Sequence, residues 1–296
     1  MRQLIQHSFR GINDLSFREV DLPTPAANEV LIKMHALPVT ASDIKREFND
    51  HATAEQLTNL PRVIGVGGVG EVVQVGEQRD SALMHQRVLV LNPTGAYQEY
   101  LTSKNSNWLF PLSDNVSDEQ ALTLVGAGGT AELLASIIKK ASSQNIIITG
   151  ANSVIGILLL QLLTLDHHMI FPLVNPSSVE YFQSRLPKAP VYTIDCLPKL
   201  TDATIIDIAG NTHLLESLSS MIPNVQAISI AITDNPQIQF VHEEFNRQVY
   251  LQLIEKLSTD ELKGPVGKRF AFSDAKEAQH YTNDHHSRGR VYLTLN

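Results

Sequence analysis

At 296 residues the chain exceeds the usual single-domain size, so two domains are the first expectation. Its 43% hydrophobic and 18% charged residues fit a compact folded protein rather than a disordered one. The net charge of -8 argues against nucleic acid or an anionic membrane surface as partner, and the single cysteine, Cys196, excludes an internal disulfide and a cysteine-based zinc site.

The start, Met1-Arg-Gln-Leu-Ile-Gln-His7, lacks a continuous apolar core and a cleavage-like site, so no signal peptide is expected. From Met1 to about Pro111 the chain reads as short strands broken by proline and glycine turns. Val30, Ile32 and Met34 alternate with Leu31, Lys33 and His35; Val72, Val73 and Val75 lie between glycines; Arg87–Asn92 is followed by Pro-Thr-Gly. From about Ser117 to Leu262 strands and helices alternate. The strands are predicted at 145–149, 169–174, 190–194, 203–208 and 226–230, and the helices between them at 156–165, 177–186 and 212–221. This spacing gives βαβ units and a parallel sheet covered on both faces. A further helix is predicted from about His242 to Leu257. The apolar run Val154–Leu165 is too short to span a bilayer. The last strand, Gly289–Leu295, has no helix after it and can rejoin the first domain. A cytoplasmic enzyme or binding protein fits these features.

The stretch Ile146–Gly156, continuing to Leu163, carries the most functional information. An apolar strand, a turn of small residues and an apolar helix place the helix amino end where its free N–H groups and dipole favour a pyrophosphate. Gly150 suits the tight turn and Gly156 a close helix–strand approach, while Ser153 replaces the middle glycine of the usual spacing. An ordinary strand–turn–helix with no ligand is the competing reading. At the end of the next strand, Asn175-Pro-Ser-Ser178 carries no carboxylate to repel a 2′-phosphate, and Ser177 and Ser178 can donate to one, which favours NADPH over NADH. A helix cap at Ser177 is the alternative. Ala209-Gly210-Asn211 follows another strand end, where ligands gather in open parallel sheets.

Several segments together resemble the medium-chain dehydrogenases/reductases, in the zinc-free branch of quinone oxidoreductases and 2-enoyl thioester reductases. They are Val39-Thr-Ala-Ser-Asp-Ile-Lys45, the glycine-rich Ile64–Gly76, Gly95–Tyr100, Thr130-Ala131, Gly150–Gly156, Phe272–Ala278 and Arg288–Leu293. The resemblance implies an α/β protein: a GroES-like β domain (1–116 and 266–296) plus a Rossmann doubly wound parallel sheet domain (117–265), with the active site in a cleft between them. It implies a cofactor held by Thr130, Gly150, Ala151, Asn152, Ser153, Val154, Ile155, Gly156, Asn175, Ser177, Ser178, Ala209 and Gly210. Where the zinc-dependent branch has a Cys and a His-Glu pair, this chain has Thr40, Val66 and Gly67, so no metal is expected. The pairs His167-His168 and His285-His286 lack chelating spacing.

The chemistry implied is hydride transfer from NADPH to quinones or α,β-unsaturated carbonyl compounds, with the hydroxyls of Thr40 and Ser42 as donors to the developing oxyanion. A helix-capping turn is the alternative reading of Thr40, Ser42 and Asp43. Phe48, in the substrate pocket by this resemblance, stands nearest the assisting tyrosine of the enoyl thioester reductases. A 2-enoyl thioester reductase of fatty-acid metabolism and a non-catalytic NADPH-binding or sensing protein are the alternatives. The implied partners are a small carbonyl substrate and a second subunit, with Phe240 and Val241 as an edge strand for a homodimer.

Overall fold

The computed structural model describes residues 1–163, 167–285 and 288–295. Leu165, the predicted end of one helix, and His286 of the second histidine pair lie outside the described residues. The chain divides into two compact units, Met1–Gly126 with Arg247–Asn296, and Ala127–Asn246.

In the first unit the alternating pattern at Val30–His35 becomes a ten-residue strand, Val30–Val39. It lies inside a seven-stranded sheet ordered Val266–Ala271, Arg290–Thr294, Val30–Val39, Gly67–Val75, Arg87–Leu91 and Leu109–Pro111, with Tyr100–Ser103 also on Val30–Val39. A three-stranded sheet joins Leu15–Glu19, Arg2–Gln6 and Arg62–Val63. The strand predicted at Val72–Val75 starts earlier, within the glycine run, because that run lies close to its neighbour: a Cβ on Gly68 would sit 2.7 Å from the Ala36 carbonyl oxygen. The last strand does rejoin this unit, with Val291 opposite Val39. Leu4, Ile32, Met34, Val72, Tyr97, Phe272 and Leu293 share the apolar core. The helix Ala41–Glu47 leaves the end of Val30–Val39, and Ala275–Asp284 packs on it.

The second unit is a parallel sheet ordered Met169–Leu173, Asn145–Thr149, Asp202–Asp207, Asn224–Ser229 and Ile238–Phe240. Continuous apolar runs such as Ile146–Ile148 form its interior, as expected for strands covered on both faces. The predicted helix at 156–165 runs from Val154 to Leu162. It buries Ile157, Leu158 and Leu159, each contributing about 1.5–3 kcal/mol of transfer free energy. The helix predicted at 177–186 is a 3-10 turn, Pro176–Ser178, followed by Val179–Arg185; Thr212–Met221 agrees with its predicted bounds.

Two elements differ from expectation. The strand predicted at 190–194 is reduced to a bridge at Tyr192, whose N–H donates to Pro172 and whose carbonyl accepts from Val174. Pro190 has no N–H for a longer ladder. The helix predicted from His242 begins at Arg247. Among the described residues no helix is long and apolar enough to cross a membrane.

Candidate functional site

In the second unit the chain leaves Asn145–Thr149 for one side of the sheet and returns on the other at Asp202–Asp207. These two strands are neighbours, so their carboxyl ends border the switch point at which open α/β sheets bind ligands. Gly150 follows the first strand with φ +61°, a conformation disfavoured for residues with a side chain, and a Cβ there would lie 3.1 Å from the Ala209 nitrogen. Gly156 brings its helix onto the turn so closely that a Cβ would meet the Ala151 carbonyl oxygen at 2.5 Å.

Ser153 needs no glycine conformation, having φ -71° and ψ 169°. It is the N-cap of Val154–Leu162, its hydroxyl accepting from Gly156 N–H. The N–H groups of Val154 and Ile155 lie in the first turn, where no intrahelical acceptor exists. Asn152 and Ile155 are half-buried, and Ala151 and Val154 are buried. A glycine in the left-handed region, a close helix–turn contact and first-turn N–H groups are what a dinucleotide pyrophosphate needs, so these residues fit such a group.

Asp207 organises this edge as a hydrogen-bonded structural carboxylate. Its Oδ1 accepts from the Thr149 hydroxyl at 2.6 Å and Gly210 N–H at 3.2 Å; its Oδ2 accepts from the Ser229 hydroxyl at 2.7 Å. Thr149 Oγ1 in turn accepts from Ile208 and Ala209 N–H, and Ser229 Oγ from Ala231 and Ile232 N–H. One buried carboxylate therefore ties three strand ends to the Ala209–Gly210 lip, where Gly210 has φ +64°.

At the end of Met169–Leu173, Asn175 Oδ1 accepts from both the N–H and the hydroxyl of Ser177. Asn175 and Ser177 are exposed, whereas Ser178 is only 4% exposed. Thr130 lies in the first turn of Gly128–Lys139, a helix without a side-chain cap at Ala127, and donates to Glu243 Oε2 at 3.2 Å. That contact places Glu243 outside the predicted helix at 242–257.

In the first unit Thr40 caps the helix Ala41–Glu47. Its hydroxyl lies 2.7 Å from Asp43 Oδ2 and 2.8 Å from Ser42 Oγ, and accepts from Asp43 N–H. Thr40 is buried and Ser42 exposed. Asp43 and Glu47, one helical turn apart, are 3% and 1% exposed. Burial pushes the Glu47 carboxyl up to about 8, against the Gln279 side-chain hydrogen bond and with the Asp43 charge. Arg290 donates to the carbonyls of Val125 and Val39, and burial lowers its guanidinium to about 10. The Tyr97 hydroxyl donates to the Pro38 carbonyl at 2.6 Å. Phe48, expected in a substrate pocket, pairs through its backbone with Arg10 and is 56% exposed.

Thr40, Val66 and Gly67 do not fit a zinc ion, having no thiolate, imidazole or carboxylate. Among the described residues no group of three or more His, Cys, Asp or Glu side chains is placed to hold a metal.

Residues 26–135 match the alcohol dehydrogenase GroES-like domain. A 162-residue stretch is 29% identical to the mitochondrial enoyl-[acyl-carrier-protein] reductase of Arabidopsis thaliana, covering 53% of this chain and 42% of that protein. The chain spans about half the length of the curated relatives it matches. Its fold resembles the quinone oxidoreductase of Pseudomonas syringae pv. Tomato DC3000, with TM-score 0.79, 19% identity and 99% of both chains covered. It also resembles the quinone oxidoreductase of Coxiella burnetii, with TM-score 0.74, 18% identity, and 100% of this chain and 99% of that one covered. The chain thus combines a segment that matches the alcohol dehydrogenase GroES-like domain with a parallel-sheet Rossmann-like unit, a fold it shares with these two structures.

Proposed function

We propose that the protein is a zinc-independent, NADPH-dependent oxidoreductase that reduces quinones or α,β-unsaturated carbonyl compounds. The observation that carries this reading is the sheet's switch point, where Gly150 approaches Ala209 beside the amino end of Val154–Leu162. The Gly150–Gly156 turn would hold the pyrophosphate, Asn175 and Ser177 the ribose phosphate, and Ala209 and Gly210 the second ribose. When bound, the nicotinamide supplies hydride. The chain's own part in the chemistry falls to the exposed Ser42 hydroxyl, which donates to the carbonyl oxygen as negative charge develops there. The reading includes a cytoplasmic homodimer formed through the edge strand Ile238–Phe240.

The likeness to a plant enoyl-[acyl-carrier-protein] reductase favours a second reading, reduction of an enoyl thioester. Phe48 weakens it, having no hydroxyl to assist protonation. The test is a calorimetric titration with NADPH and NADH, followed by turnover of quinones, enones and enoyl thioesters. Micromolar NADPH binding with much weaker NADH binding supports the reading. Binding without turnover of any acceptor points to a non-catalytic nucleotide-binding protein, and binding of neither nucleotide below the millimolar range removes the proposal.

A further inference from the structure

We infer that Glu243 sets the charge preference of the nicotinamide end of the site, its carboxylate favouring the oxidised, cationic ring over the reduced, neutral one. The inference rests on the reductase reading above and deepens it, naming a residue that biases the bound cofactor toward giving up hydride.

The carboxylate is held by residues distant in sequence. Thr130, in the first turn of Gly128–Lys139, donates its hydroxyl to Glu243 Oε2 at 3.2 Å. Beside it Gly129 leaves the necessary room, since a Cβ there would overlap Glu243 Oε1. Ala127 provides no side-chain cap, and the carboxylate lies at the positive end of the helix dipole. Glu243 is half-buried and Gly129 buried, a setting in which a charge is screened less than on the open surface.

Topology places this carboxylate at the cofactor edge of the sheet. Only Lys140–Gln144 separate Gly128–Lys139 from Asn145–Thr149, so the helix runs against that strand and its amino end lies at the strand's carboxyl end. Val154–Leu162 starts from the same edge and packs on it. Glu243 arrives from the other side, in the segment after Ile238–Phe240, which is parallel to its neighbour and ends on the same edge. The strands run in order from Met169–Leu173 through Asn145–Thr149 and Asp202–Asp207 to Ile238–Phe240. With the ribose phosphate at Asn175 and Ser177 and the second ribose at Ala209 and Gly210, the nicotinamide end falls on the side from which Glu243 comes. All these residues belong to the second unit.

The oxidised and reduced cofactors differ by one positive charge, on the ring. Their phosphates are the same, so repulsion between phosphate and Glu243 weakens both alike and cancels from the ratio of their affinities. What stays in the ratio is the attraction between carboxylate and ring. Tighter binding of the oxidised form lowers the potential of the bound couple, by about 30 mV for each tenfold at two electrons. Reduction of an acceptor is thereby favoured, and the oxidised cofactor leaves more slowly.

The experiment measures Kd for NADP⁺ and for NADPH by calorimetry, in wild type, Glu243→Gln and Glu243→Asp, at low and at high ionic strength. Glu243→Gln keeps an acceptor for Thr130 and removes the charge. It should raise the NADP⁺ Kd relative to the NADPH Kd by about tenfold, equivalent to about 30 mV. Added salt should move the wild-type ratio toward the Glu243→Gln value. Glu243→Asp, which withdraws the charge by one methylene, should fall between the two, and it decides if Glu243→Gln does not fold. An unchanged ratio in the deciding variant, including equal weakening of both forms, makes Glu243 a structural contact and overturns the inference while the reductase reading stands. A wild-type protein that binds neither form below the millimolar range overturns that reading, and the inference with it.

Discussion

Thr149 and Asp207, the last residues of two adjacent parallel strands, are joined by a 2.6 Å hydrogen bond from the threonine hydroxyl to the carboxylate. The bond fixes the edge from which both the Gly150 turn and the Ala209–Gly210 lip depart. Asp207→Ala would leave the Thr149 and Ser229 hydroxyls buried without their acceptor. It should destabilise the fold by about 2–3 kcal/mol in urea unfolding and weaken nucleotide binding. Unchanged binding in a folded Asp207→Ala protein would separate the lip from the cofactor site.

Gly150→Ala tests the turn directly. The left-handed backbone costs a residue with a Cβ about 1–2 kcal/mol, and the new methyl would lie 3.1 Å from the Ala209 nitrogen. Calorimetry should show NADPH affinity falling by roughly tenfold or more, equivalent to about 1.4 kcal/mol. A Ser153→Gly protein should retain its fold, because Ser153 contributes a cap rather than a special backbone conformation, with helix stability reduced by a few tenths of a kcal/mol.

Asn175→Asp keeps the acceptor that caps Ser177 but adds a negative charge at the strand end. NADPH affinity should fall and NADH affinity rise, moving the ratio of the two Kd values about tenfold or more toward NADH, equivalent to about 1.4 kcal/mol. An unchanged ratio would place the 2′-phosphate elsewhere.

Glu47 makes stability depend on pH in an unusual direction. Its carboxyl rises from 4.5 to about 8 on folding, so between these values the folded state holds a proton that the unfolded state releases. The stabilisation is complete below pH 4.5 and is lost as pH rises through about 8, at up to about 1.4 kcal/mol per pH unit. Urea unfolding at pH 6 and pH 9 should show this loss in the wild type and not in Glu47→Gln. A wild type equally stable at both values would mean that Glu47 ionises freely.

The parallel sheet was legible because its strands are apolar on both faces and its helices have regular spacing. Pro172 within Met169–Leu173 is compatible with that strand's place at the sheet edge, where its missing N–H breaks no ladder. The Gly150–Gly156 turn was legible too, from its strand–turn–helix order, whereas its place at the switch point needed the strand order of the structure. The interior of the first unit was not legible. Glu47 meets Gln279 across 232 residues of sequence, and Arg290 reaches Val39 across 251, so no local pattern marks Glu47 and Arg290 as buried. Charged residues ordinarily read as surface, which is why Asp43 resembled a helix-capping residue. The interval from His242 to Asn246 misled for a related reason: Glu243 bonds Thr130, 113 positions earlier.

The first unit is built from two stretches of chain, with Arg290–Thr294 seated between Val30–Val39 and Val266–Ala271. During synthesis the intervening unit, Ala127–Asn246, is complete before the strand that finishes the earlier sheet has emerged. Tyr100–Ser103 can pair Val30–Lys33 early, but the Ala36–Val39 end of that strand waits with one edge unpaired until Arg290–Thr294 has emerged. A nascent chain halted before Arg290 would leave that stretch of sheet edge open, the form in which it is most exposed to aggregation and most in need of chaperone protection.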